Sequence, residues 1–262
     1  MHCFARFIPL VCLTLALAVV TGCRPKPMET STPGMEDPAS EVMFEAPRAE
    51  AESEPEPAFP PRIVTLDGGV VAQVDAGVVT LPGWIELQEG WLEVGVCRQG
   101  TRDHETVVAT TCQPSVVHAA MLLAGFEPGS PAWYRADGSS GPASGDPVAV
   151  EIHIEEDSGS TRIVPLASAV DDERGTPDLR WVFAGSSFQP NPPQMGPGEF
   201  YTADYAGTIV GLTTFGDEVV AAVEVRSPEI GIDPAVWKIR PGVLPPPGSP
   251  VSLVLRRPDA KK

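Results

Sequence analysis

The sequence predicts an α+β domain, mostly antiparallel strands with one main buried helix at about residues 114–124, folded as a single domain. Three observations predict it. Of 262 residues, 30 are proline and 25 glycine while only 6% are aromatic, a composition that interrupts helices and supplies turns. Short β-branched runs recur between glycine and proline turns from Val70 to Leu255. One stretch, between Pro114 and Gly125, carries helix punctuation at both ends.

Along the chain, residues 70–74 and 78–81 read as short strands bracketed by Gly68, Gly69 and Gly77. Residues 84–87 and 91–97 follow. In the second of these, Trp91, Glu93, Gly95 and Cys97 share one face and Leu92, Val94 and Val96 the other. After a polar turn at 98–103, residues 104–110 read as a returning strand, which makes the pair a hairpin. The segment 115–124 is apolar nearly all round and is expected to be buried against a sheet. Later strands are expected at 148–154, 161–164, 180–184, at Tyr201, and at 207–212, 219–225 and 251–255. Proline-rich connections at 190–197 and 241–250 separate the last of them, and no internal repeat is present.

The amino terminus has the layout of a secretory signal: Arg6, an apolar run from Ile8 to Val20, then Thr21, Gly22 and Cys23. The apolar run is shorter than the roughly 20 residues that span a bilayer. The segment Val20-Thr21-Gly22-Cys23 resembles the bacterial lipobox. That resemblance implies residues 1–22 as a lipoprotein signal peptide and Cys23 as the lipid-attachment site, so the partner here is a membrane, reached through the lipid. The localisation expected is the cell envelope, lipid-anchored and facing the periplasm or exterior. Residues 24–61 hold nine prolines and nine acids against three bases. Such a stretch cannot bury enough apolar surface to offset its ordering entropy, so residues 23–61 read as a lipid-anchored disordered tether and 62–262 as the globular domain.

The net charge of −17 repels phosphates, which excludes nucleic acid as a partner and favours cationic or neutral ligands. Cys3 and Cys12 leave with the signal and Cys23 takes the lipid, so Cys97 and Cys112 alone remain for the domain. An iron–sulfur cluster from this chain alone is therefore excluded. The two cysteines read either as buried free thiols or as a disulfide.

His104, Glu105 and His118 are the candidate metal ligands, since imidazole and carboxylate suit a divalent metal. Their spacing is not His-Glu-x-x-His, and neighbours on a strand point to opposite faces, which weakens a joint three-ligand site. The alternative for His118 is a core histidine bonded to a backbone carbonyl. Ser186, Tyr201 and Asp204 form a second candidate set, for ligand binding. They combine hydroxyls and an acid with aromatic walls after a strand that ends in small residues. The alternative is structural: Gly185 bends the chain, Ser186 bonds a turn, and Tyr201 and Asp204 pin the returning strand.

Four blocks carry a family resemblance: Thr101 to Val108, Val116 to Gly125, Trp181 to Ser186 and Tyr201 to Val210. In this order they resemble the core motifs of YdjY-domain proteins, over roughly residues 63 to 256. The resemblance implies a bacterial envelope protein, commonly a lipoprotein, and implies no particular activity. Some members are labelled ferredoxin-like, which two domain cysteines contradict for this chain.

Catalytic templates are missing. There is no Gly-x-Ser-x-Gly elbow, no phosphate loop and no dinucleotide fingerprint. A triad of Ser186, His104 and Asp204 has the residue types but no motif. The function expected is a lipid-anchored cell-envelope accessory module that binds a metal or small molecule. The alternative is a non-catalytic scaffold docking to another envelope protein, with a hydrolase third.

Overall fold

The computed structural model describes residues 61–135, 137–175, 179–229, 231–233 and 235–259. The signal segment, Cys23 and the tether up to Pro60 lie outside the described residues. Fourteen elements matter here: β1 (Ile63–Thr65), β2 (Val71–Gln73), β3 (Val78–Ile85), β4 (Val94–Arg98), β5 (Thr106–Thr110), α1 (Pro114–Leu123), β6 (Pro147–Glu155), β7 (Thr161–Pro165), α2 (Leu166–Ala169), β8 (Trp181–Phe183), α3 (Thr202–Ala206), β9 (Thr208–Gly211), β10 (Val220–Ala222) and β11 (Pro250–Arg256). Among the described residues no helix is long and apolar enough to cross a membrane.

The fold is mostly β, which corrects the predicted α+β class. Eight strands close on themselves in the order β3-β11-β6-β8-β10-β9-β4-β5, with β5 returning to β3. The closing ladder is short, Trp84 opposite Ala109 and Ile85 opposite Val108. At this seam a Cβ on Gly83 would stand 2.8 Å from the Ala109 carbonyl oxygen, so only glycine lets the two backbones approach. Closure pairs strand edges that an open sheet would leave free. The long strands also fork. Along one edge of β3, residues 78–80 pair with β2 while 84–85 pair with β5. One edge of β6 likewise serves β8 at Pro147 and Val148, then β7 from Glu151 onward.

The predicted hairpin of residues 91–97 and 104–110 is a second correction. β4 and β5 run parallel, with Val94 opposite Thr106 and Arg98 opposite Thr110. β4 is only 5 residues long, so residues 99–105 suffice to carry the chain back to its start, and no long crossover is needed. Asp103 holds this return by accepting the Gly100 N–H on both carboxylate oxygens, at 3.0 and 2.9 Å. Glu93 N–H then donates to the Glu105 carbonyl, which levels the two strand starts. β9 and β10 are parallel too, across residues 212–219.

The expected strand 91–97 is also cut at Glu93. Trp91–Leu92 belongs to a separate small sheet with Trp237–Ile239 and Val170–Asp172. The Glu93 carbonyl instead accepts the N–H groups of Leu212 and Thr213.

α1 occupies the predicted segment but is not buried all round. Val117, Ala120 and Met121 face the core, against β2, β3 and α3, whereas Leu122 and Leu123 are exposed. Its buried stripe joins the same core as Leu81, Ile85 and Phe183 while its other side meets solvent, so one stripe is enough. Phe183, Leu81, Ile85 and Ile152 are among the large side chains sealed inside.

Candidate functional site

Distant sequence blocks meet where β8 ends. Beyond Phe183 the chain runs alongside the segment that leads into β10: Gly185 N–H donates to Val219 O, and Ser186 N–H to Glu218 O, both at 2.9 Å. Ser186 is the non-glycine residue with positive φ among the described residues, at 56°, a conformation that needs support from its surroundings. Its hydroxyl provides it. Oγ donates to the Asp217 carbonyl at 2.8 Å and accepts the Ala203 N–H at 3.1 Å, tying the turn to the start of α3.

On one side of this turn stands His118, projected from α1. Its Nδ1 is 2.8 Å from the Tyr201 hydroxyl, which donates to the Gly185 carbonyl at 3.0 Å. A phenol has one proton, and with that proton on Gly185 its lone pair accepts from Nδ1–H of His118. The imidazole meets Phe183 edge to face, centroids 5.0 Å apart. Burial holds its pKa below the ordinary histidine value and pushes the Tyr201 phenol up. Asp204, one helical turn along α3, accepts the Ser115 N–H at 2.8 Å. Gln113, the residue before α1, makes no side-chain cap, so Asp204 caps that helix from outside.

On the other side lies a cluster that sequence reasoning missed. Arg102, on the 99–105 return, donates from Nη2 to Asp217 at 3.0 Å, with its guanidinium 3.5 Å from the Phe215 ring centroid. Glu218, 1% exposed, accepts the Phe215 and Gly216 N–H groups at 2.6 and 3.2 Å. Its side chain lies across Gly211, where a Cβ would come within 2.4 Å of Glu218 Cγ. Burial, then the neighbouring Asp217, push the Glu218 carboxyl up to about 7. Burial raises Asp217 as well, against the pull of Arg102. Asp217 Oδ1, Glu218 Oε2 and Arg102 Nη1 are buried without a hydrogen-bond partner among the described residues. The one signal in the sequence is an acidic pair set directly before the apolar run 219–223.

The structure brings His118, Tyr201, Ser186 and Asp204 into one neighbourhood, although the sequence placed His118 in a different set. His104 and Glu105 sit apart from it, on the turn Asp103–Glu105, with His104 Nε2 3.6 Å from Glu105 Oε2 and the His104 side chain 79% exposed. Among the described residues no three His, Cys, Asp or Glu side chains converge to hold a metal ion. The residues of the imagined triad are each engaged elsewhere: Ser186 with Asp217 and Ala203, Asp204 with Ser115, His104 with Glu105. Cys97 and Cys112 are buried free thiols, and burial pushes the Cys97 thiol up to about 11, far from the reactive thiolate.

Above this frame the hairpin Phe188–Pro190 with Glu199–Tyr201 and the helix α3 carry an open depression of about 490 Å³. Pro192, Met195, Phe200, Tyr201, Asp204 and Tyr205 line it. Phe188, Met195 and Tyr205 around it are 63%, 65% and 82% exposed. No curated protein and no solved structure matches the chain. The model of the YdjY domain matches residues 71–256, a span that runs from β2 to the last residue of β11 and takes in both polar clusters and the hairpin. The chain belongs to the YdjY domain family.

Proposed function

We propose that this protein is a lipoprotein of the bacterial cell envelope, anchored through Cys23, whose YdjY domain is a non-catalytic docking module. The observation that carries the reading is the exposed apolar face at 188–205, with Phe188, Met195 and Tyr205 open to solvent beside a lined depression. Clustered apolar exposure costs solubility unless a partner covers it. The polar groups beneath are spent on holding the face: Tyr201 fixes Gly185, Ser186 fixes α3, and Asp204 ties α3 to α1. A rigid support of this kind suits recognition.

Two experiments test the reading. Cys23→Ser should move the protein out of the membrane fraction, and retention there would refute the anchor. A photo-crosslinking residue placed at Tyr205 in the full-length protein, in cells, should give a discrete adduct that the same residue at Asp157 does not give. Equal labelling from both positions, or none from either, would refute docking through this face.

A further inference from the structure

Elsewhere two exposed tryptophans are covered by the chain's own cations. Trp91, 45% exposed, has Lys238 Nζ 3.9 Å from its ring centroid, and Trp133, 41% exposed, has the Arg135 guanidinium at 4.3 Å. An aromatic face is electronegative, so a cation above it is attracted and the ring is partly shielded from water. The face at 188–205 lacks this cover. Phe200 and Tyr205 stand edge to face, centroids 5.9 Å apart at 65°, and among the described residues no Lys or Arg lies over either ring. Residues 181–225 contain no Lys or Arg at all, yet they set Asp204 in the lining of this surface and Glu199 on the hairpin that carries it. Asp204 uses Oδ1 to cap α1, and its Oδ2 makes no hydrogen bond within the described residues.

Resting on the docking reading above, the geometry points to an arginine- or lysine-bearing extended segment of a partner polypeptide as the occupant. Its cationic head group sits against the two crossed rings of Phe200 and Tyr205, and Asp204 and Glu199 supply the opposite charge. Pro192 and Met195 take the aliphatic stem, as long cationic side chains prefer apolar surface below a solvated head. The same charge argument rejects other occupants. The chain's own tether carries nine acids against three bases, and the domain of a second copy carries 26 against 14, so both bring like charge to the face. An anionic lipid surface does the same.

The test uses the detergent-solubilised full-length protein and labelled peptides in fluorescence polarisation. One probe is a short Gly/Ser/Ala peptide with spaced arginines, the second has glutamine at those positions, and the third is residues 45–56 of this chain. The arginine peptide should bind roughly tenfold or more tighter than the other two. Tyr205→Ser with Glu199→Lys should weaken it by a similar factor while leaving the melting temperature in place, because both side chains are exposed. Equal binding of the glutamine or the acidic peptide would overturn the inference. So would arginine binding that those substitutions do not move, which is general attraction to an acidic domain. An adduct from position 205 in cells without arginine-peptide binding refutes the cationic occupant and leaves docking standing. Absence of both refutes the two together.

Discussion

Ser186 divides two polar clusters that solve burial in opposite ways. On the His118 side each donor reaches an acceptor in sequence, imidazole to phenol to carbonyl, and the groups stay neutral. On the Arg102 side one cation pairs with Asp217 while Glu218 lies buried beside them, and among the described residues three polar atoms of the group remain unpaired. A satisfied neutral chain gains rigidity at little cost, whereas a half-satisfied charged group keeps most of its desolvation penalty. The first cluster should therefore be insensitive to pH near neutrality, and the second should set how stability depends on pH.

The sharpest break in that contrast is Arg102→Met. It leaves Asp217 buried without its partner, and denaturant unfolding at pH 8 should show a loss of about 3–5 kcal/mol that shrinks in acid as Asp217 takes up a proton. Glu218→Gln should act in the other direction. Glu218 titrates near 4.5 when unfolded and about 7 when folded, so the folded state holds the proton more tightly. Its stabilisation is complete below about pH 4.5 and is lost as pH rises through about 7. The Gln variant removes that slope and should be about 3 kcal/mol more stable than wild type at pH 8. Equal pH profiles for the two proteins would show that this carboxylate does not govern the dependence.

Smaller changes probe the satisfied side. Tyr201→Phe removes the bridge between His118 and Gly185, and should cost about 1–2 kcal/mol with little change between pH 7 and 9. Asp204→Ala removes the cap supplied to α1 and should cost about 1 kcal/mol in thermal melts, with Asp204→Asn recovering most of it. A larger cost for Asp204→Asn than for Asp204→Ala would mean that charge rather than capping is what α1 requires.

Local chemistry made part of this molecule readable. Pro114 and Gly125 bound the helix as their backbone preferences require, and β-branched runs mark β3, β6 and β11 within a few residues. The closed barrel was not readable, because β3 finds β5 through only two opposed residue pairs and nothing in either strand names the other. The hairpin error has the same origin: a short polar connection reverses the chain in a hairpin and returns it in a parallel pair, and composition alone does not choose. Tyr201, Ser186 and Asp204 stood out by residue type, but their shared work with His118 depends on α1 packing beside α3. Asp217 and Glu218 were passed over because acids beside a turn are ordinarily solvated.

The position of β11 governs how the molecule can be made. That strand lies between β3 and β6, bonding Leu253 to Leu81 on one side and Ile152 on the other. Until it emerges from synthesis, β3 and β6 are joined only the long way round, through β5, β4, β9, β10 and β8, and the edges that β11 will cover wait unpaired. Pairing of such distant segments slows folding and prolongs exposure to aggregation. Closure of this domain is therefore a late event, and a chain cut just before Pro250 would leave an open sheet with two free edges rather than a barrel short of one strand.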